Sequence, residues 1–92
     1  MNALEELKEA IEYYDLPEIK EANISFGNTQ KYLLKEDYTK KELSQFFIFL
    51  DREYDEGYGI QELFGYVIFM DDCMLTRAEY DGSEWWDCLD IK

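Results

Sequence analysis

The fold of this chain is decided by the stretch Leu63–Leu89, LFGYVIFMDDCMLTRAEYDGSEWWDCL. Its first part, Leu63–Met70, is nearly continuous in apolar residues, which is typical of a strand buried on both faces. Asp71–Asp72 and Asp81–Gly82 are turn-forming pairs. They leave two further strand candidates, Cys73–Glu79 and Glu84–Leu89. The stretch therefore predicts a three-strand antiparallel meander.

A two-residue turn at Asp81–Gly82 fixes how the last two strands pair. In that register four pairs of residues face each other: Tyr80 and Ser83, Arg77 and Trp86, Leu75 and Cys88, and Cys73 and Asp90. The two cysteines then share a face diagonally, with Cα atoms beyond the ~7 Å that a disulfide tolerates. We therefore expect two free, half-buried thiols. Two cysteines without a histidine are also too few for a zinc site.

The N-terminal half predicts a helix followed by a hairpin. Asn2 is a cap candidate with Glu5 three residues later, and apolar residues recur at helical spacing up to Tyr14. Pro17 ends this helix, which we place at Asn2–Asp15. The next two segments flank the turn-forming residues 27–30 and predict a β-hairpin. They are Ala22–Phe26 and Lys31–Lys35.

A second helix connects the hairpin to the meander. Thr39 and Glu42 form a capping box, and apolar residues continue at helical spacing as far as Tyr54. We expect this helix to end near Glu56–Gly57, where glycines allow the chain to turn. The order helix, hairpin, helix, three-strand meander predicts a single α+β domain over residues 1–92. Two helices would pack on one face of an antiparallel sheet, and the other face would be open to solvent or to a partner.

The composition narrows the class of protein. The 92 residues are 47% hydrophobic and 17% aromatic, enough for a folded core, and they carry a net charge of −13. Because phosphate backbones are bound through Lys and Arg, this charge argues against direct binding of nucleic acid or anionic lipid. No apolar run approaches the ~20 residues of a membrane span, and the N-terminus is acidic, unlike a signal peptide. We expect a cytoplasmic protein.

The sequence predicts no catalytic, cofactor or metal site. Without histidine, an imidazole-based nucleophile and base pair is excluded, and no glycine-rich phosphate loop is present. A carboxylate pair across the hairpin, Glu84 with Glu79 or Asp81, is better explained as turn acids on a solvated edge. Asp51, Glu53 and later acids imitate the spacing of a calcium loop, but Glu56 stands where that loop needs glycine.

Acids and aromatic residues are interleaved in the C-terminal half. Residues 51–92 contain twelve acids and three bases, a net charge of −9. Neighbours on a strand point to opposite faces, so one of Trp85 and Trp86 enters the core and the other stands outside. An exposed indole beside carboxylates is a plausible anchor for a basic protein, although both rings could instead pack inside. The predicted partner-binding residues are Asp71, Asp72, Glu79, Tyr80, Asp81, Glu84, Trp85, Trp86 and Asp87.

The same half of the chain resembles a known family. Glu79–Trp86, Gly57–Gly59 and Gln61–Gly65 are similar to segments of a family of small acidic proteins of tailed bacteriophages. The resemblance covers the C-terminal 40 residues well and the first half only loosely. It implies a phage or prophage origin, and it implies no reaction because the family has no assigned activity. Asp72 and Met74 depart from the family pattern, which has glycine and tryptophan there.

These features together predict a binding protein that is not an enzyme. The first hypothesis is a phage-encoded inhibitor that occupies the basic surface of a host nucleic-acid-binding protein, as an anti-CRISPR or anti-restriction protein would, with carboxylates in place of phosphates. The second is an interaction module without mimicry, such as an immunity-type partner of a basic toxin or a subunit of a phage complex. The third, a small enzyme or nucleotide-binding protein, and the possibility that the acidity serves only solubility, stay open.

Overall fold

A computed structural model describes residues 1–28, 30–54, 61–81 and 83–90. It contains two helices and a five-stranded antiparallel sheet, which confirms the predicted α+β class and order of elements. The helices are α1 (Ala3–Tyr13) and α2 (Lys40–Leu50). The strands are β1 (Ile19–Phe26), β2 (Gln30–Leu34), β3 (Leu63–Phe69), β4 (Cys73–Tyr80) and β5 (Ser83–Asp90).

Both helices begin at the predicted caps. The Asn2 side chain accepts a hydrogen bond from the Glu5 N–H, and Thr39 and Glu42 form a reciprocal capping box. Helix α2 ends earlier than predicted, at Leu50. The chain leaves the helix there because residues 52–54 bond to the N-terminal segment: the Ala3 N–H donates to the Arg52 carbonyl and the Tyr54 N–H to the Met1 carbonyl.

The strands pair in the order β2-β1-β3-β4-β5, so the N-terminal hairpin joins the meander through β1. Strand β1 begins at Ile19, three residues before its predicted start, because it pairs with β3 as far as Phe69. The predicted register of β4 with β5 is confirmed throughout, from Cys73 opposite Asp90 to Tyr80 opposite Ser83. Cys73 and Cys88 are free and half-buried, as expected.

One face of the sheet, the inner face, packs against both helices. Its buried side chains include Ile24, Val67 and Leu75, which meet Leu7 from α1 and Phe46 from α2. Helix α2 lies over β1 and β2, where its rings contact aromatic residues of those strands. Helix α1 lies over β4 and β5, as the contacts described below show.

Gly65 brings β1 and β3 together at a point where no other residue fits. Its φ is +123°, and a Cβ placed there would lie 1.9 Å from the Asn23 carbonyl oxygen. The backbone therefore requires glycine at this position. Gly57 and Gly82, where the sequence predicts turns, lie outside the described ranges.

Candidate functional site

The predicted partner-binding residues do not form one patch. Glu79, Tyr80 and Asp81 lie at the β4–β5 turn and are exposed, whereas Asp71 and Asp72 lie at the β3–β4 turn. Because these turns flank the eight residues of β4 at its two ends, they are separated by roughly 23 Å. The two groups of acids therefore lie at opposite ends of β4.

The remaining four predicted residues divide between the two faces of β5. Trp85, 38% exposed, and Asp87 point to the uncovered side, where the indole N–H donates to the Asp87 carboxylate at 2.8 Å. Glu84 and Trp86 point inward and are buried. The prediction that Glu84 and Trp86 lie on an accessible surface is therefore wrong, because strand alternation places both side chains on the face that the helices cover.

Glu84 belongs to a buried charged cluster around Arg77. The Arg77 Nη2 atom lies 2.9 Å from Glu84 Oε1 and 2.9 Å from the Tyr54 hydroxyl, and Nη1 lies 3.1 Å from Glu6 Oε1. The guanidinium also stacks over the Trp86 ring at 4.8 Å from its centroid. The cluster connects α1, the segment after α2, and strands β4 and β5.

The cluster also holds the start of β3. Glu84 accepts hydrogen bonds from the backbone N–H groups of Glu62 at 2.8 Å and Leu63 at 3.2 Å. Its side chain is fully buried, and the Arg77 side chain is 1% exposed. A carboxylate that is enclosed and bonded in this way is structural, since it can neither reach a partner nor exchange protons with a substrate.

Burial and neighbouring charges shift the pKa values of this cluster. Burial, together with the hydrogen bond that its hydroxyl donates to Glu6, raises the pKa of Tyr54 far above its usual 10.0. Burial alone would lower the pKa of Arg77, but Glu6, Glu84 and Tyr54 outweigh that effect and raise it. Arg77 therefore stays charged, and Tyr54 stays protonated, at any physiological pH.

Above this cluster a groove opens between α1 and β5, and we call it the acidic groove. It has a volume of about 370 Å³ and is lined by Glu6, Glu9, Ala10, Tyr13, Tyr14 and Trp86. The rings of Tyr13 and Tyr14 meet edge to face, 4.9 Å apart, and Tyr13 is 81% exposed. The buried indole Nε1 of Trp86 has no hydrogen-bond partner among the described residues.

The acidic groove combines carboxylates with aromatic rings, the pairing that the sequence predicted for the hairpin. Sequence reasoning found its Trp86 but missed the residues of α1. The helical spacing of Glu6, Glu9 and Tyr13 was the available signal, since residues three and four apart share a side of a helix. Glu5, Glu9 and Glu12 are exposed, and the structure gives them no ion pair with any described residue. Their charges are thus free to attract a basic surface.

The opposite face of the sheet, which no described element covers, is the outer face. Five of its positions carry large apolar side chains that are 37–54% exposed, and a sixth, Tyr80, is 76% exposed. The five are Leu33, Phe64, Met70, Trp85 and Leu89. Half-buried residues lie between them, including Tyr66, Ile68 and Met74. This face shares little with the acidic groove, because it is apolar and nearly free of charge.

Within the described ranges, no group of three or more His, Cys, Asp or Glu residues could hold a metal ion. Neither described helix has the length and hydrophobicity that crossing a membrane requires. No protein-family model matches the chain, and the comparisons with curated proteins and with solved structures found no match.

Proposed function

We propose that this protein is a phage-encoded acidic inhibitor that acts in the host cytoplasm by binding a basic, nucleic-acid-binding host protein. The observation that carries the proposal is the acidic groove, where the exposed carboxylate of Glu9 stands beside the exposed rings of Tyr13 and Tyr14. A lysine or arginine side chain of the partner would meet negative charge and ring faces there together. An anti-CRISPR or anti-restriction target fits this chemistry, and the phage origin rests on the resemblance of the C-terminal residues.

The charge distribution supports binding that is steered by long-range attraction. The chain carries −13, and α1 alone has four glutamates against the single base Lys8. Such a field accelerates association with a basic surface and is screened by salt. The accessible acids Glu79 and Asp81 of the hairpin are candidates for a second contact.

A binding partner or complex subunit that does not imitate nucleic acid is the second candidate. It is favoured by the roughly 23 Å between the acids of the two β4 turns. Neighbouring phosphates of one DNA strand are separated by only ~3.4 Å along the helix axis. These two groups of carboxylates cannot therefore stand in for successive phosphates.

Retention of proteins from a bacterial lysate on the immobilised protein tests the proposal. At low salt we expect basic nucleic-acid-binding proteins to be retained, and at high salt to be released. The double variant Glu9→Gln/Tyr13→Ala should lose them, because both residues line the groove and are exposed. The control Glu36→Gln/Asp37→Asn, in the exposed connection before α2, should retain them.

Three results would contradict the proposal. Equal retention by the two double variants would show that the groove is not the contact. Retention that is indifferent to salt would exclude steering by charge. Direct binding of DNA by the purified protein would remove the reason to invoke a basic partner.

A further inference from the structure

The outer face holds six of the ten large hydrophobic side chains that the described residues expose. Leu33, on β2, is separated from the others by the polar outer positions of β1, which include Asn23 and Ser25. At roughly 200 Å² for each large side chain, the exposed fractions of the other five amount to about 500 Å². An apolar patch of this size often marks an interaction surface on a soluble protein.

Charge is nearly absent from this face. The strand registers place Glu21, Lys31 and Asp87 on it, and the other side chains that the registers place on this face are apolar or uncharged polar. The net charge of the face is thus −1, in a chain that carries −13. A basic partner would find almost no carboxylates here, so charge complementarity directs such a partner elsewhere.

A second copy of this chain meets the requirements of the outer face better. Its own outer face is equally apolar, equally large and nearly neutral, so two copies can approach without repulsion at the contact. A standard interface buries about 800 Å² per partner. The five exposed side chains of this patch supply more than half of that area, and half-buried neighbours such as Tyr66, Ile68 and Met74 supply more.

We infer that the protein is a homodimer in which the outer faces of two copies stack on each other. The two sheets would lie about 10 Å apart, as in sheet-on-sheet packing elsewhere. Thr76 lies near the centre of the contact, between Tyr66 on β3 and Asp87 on β5. Helix α1 of each copy lies on the far side of its sheet, so both acidic grooves face away from the dimer interface.

The charge of the rest of the molecule gives the dimer a distinctive salt dependence. Each copy carries −13, mostly outside the outer face, so repulsion between the copies opposes association at low salt. Salt screens this repulsion and strengthens the dimer. Salt weakens the proposed contact with a basic protein instead. The salt dependence therefore distinguishes the two interactions, and either one can be refuted without the other.

Sedimentation equilibrium of the purified protein tests the inference. The wild type should have twice the 11.1 kDa chain mass at micromolar concentration, with tighter association in 500 mM than in 50 mM NaCl. Thr76→Arg places a charge in the centre of the contact, where Asp87 can pair with it in the monomer. It should raise the dimer dissociation constant at least ~30-fold.

Ile48→Arg is the matched control, because Ile48 is 72% exposed on α2 and lies outside the outer face. It adds the same charge and should dimerise like the wild type. Circular dichroism of both variants establishes that they are folded. A wild type that stays monomeric at hundreds of micromolar in 500 mM NaCl, or a Thr76→Arg variant that dimerises as tightly as Ile48→Arg, would overturn the inference.

Discussion

Replacing Glu84 with glutamine keeps the shape of the side chain but removes the negative charge that faces Arg77. Both side chains are enclosed, at 0% and 1% exposure, so water cannot replace the lost partner. Among the residues that the structure describes, the guanidinium keeps only Glu6 as a charged neighbour, and the backbone N–H groups of Glu62 and Leu63 lose a charged acceptor. Breaking a buried pair in this way costs about 3–5 kcal/mol in the free energy of unfolding.

Such a loss is a large share of the ~5–15 kcal/mol that stabilises a typical domain. We expect Glu84→Gln to lower Tm by more than about 12 °C and to shift the urea midpoint accordingly. Glu79→Gln is the matched control, because Glu79 lies directly opposite Glu84 on β4 but is exposed. It should change stability by less than ~0.5 kcal/mol.

The double variant Arg77→Met/Glu84→Gln separates lost attraction from uncompensated charge. With the cation also removed, it should be more stable than Glu84→Gln alone. Urea denaturation followed by tryptophan fluorescence measures all four proteins. If Glu84→Gln were within ~1 kcal/mol of Glu79→Gln, the structural role assigned to Glu84 would be refuted.

Two further predictions concern Tyr54 and the glycines. The folded pKa of Tyr54 is raised above 10.0, so its contribution to stability is full below pH 10 and is lost as the pH rises through the folded pKa. The free energy of unfolding, measured by urea denaturation, should therefore fall less between about pH 8 and pH 11 in Tyr54→Phe than in the wild type. Tyr13→Phe, at a ring that is 81% exposed, should fall as much as the wild type. The same pH dependence in the two variants would contradict this prediction. Gly65→Ala should leave little folded protein by circular dichroism, because its Cβ would lie 1.9 Å from a carbonyl oxygen. Gly27→Ala, at φ +61° with open space around the new Cβ, should lower the free energy of unfolding by only ~1–2 kcal/mol. Equal destabilisation at the two positions would contradict the view that glycine is needed at position 65 because β1 lies so close.

Local signals in the sequence predicted much of the fold. Helix starts at Asn2 and Thr39 depend on hydrogen bonds within three residues, and the β4–β5 register depends on a two-residue turn. These interactions are short in sequence, so they can be recognised without knowing the rest of the fold. The predicted end of α2 is wrong because Tyr54 bonds to Met1, Glu6 and Arg77 instead of continuing the helix. These three residues are distant from Tyr54 along the chain, so the local sequence does not reveal the contacts.

The candidate site was harder to predict for the same reason. Alternation along β5 required Trp85 and Trp86 to face opposite sides, but only the position of α1 decides that Trp86 is the covered one. Glu84 looked like a surface acid because nothing near it in sequence reveals that the N–H groups of residues 62 and 63 converge on it. The proposed partner and the remaining hairpin contacts stay predictions.

The Arg77 cluster has a consequence for biosynthesis. The ribosome makes Glu6 roughly 70 residues before Arg77, an interval of about four to fourteen seconds at ordinary elongation rates. Throughout that interval the N-terminal helix lacks the cation to which it docks, and β4 and β5, over which it lies, have not been made. The nascent chain must therefore avoid aggregation while its acidic helix has no sheet to pack against. The tertiary structure can form only after the β4–β5 hairpin has left the ribosome.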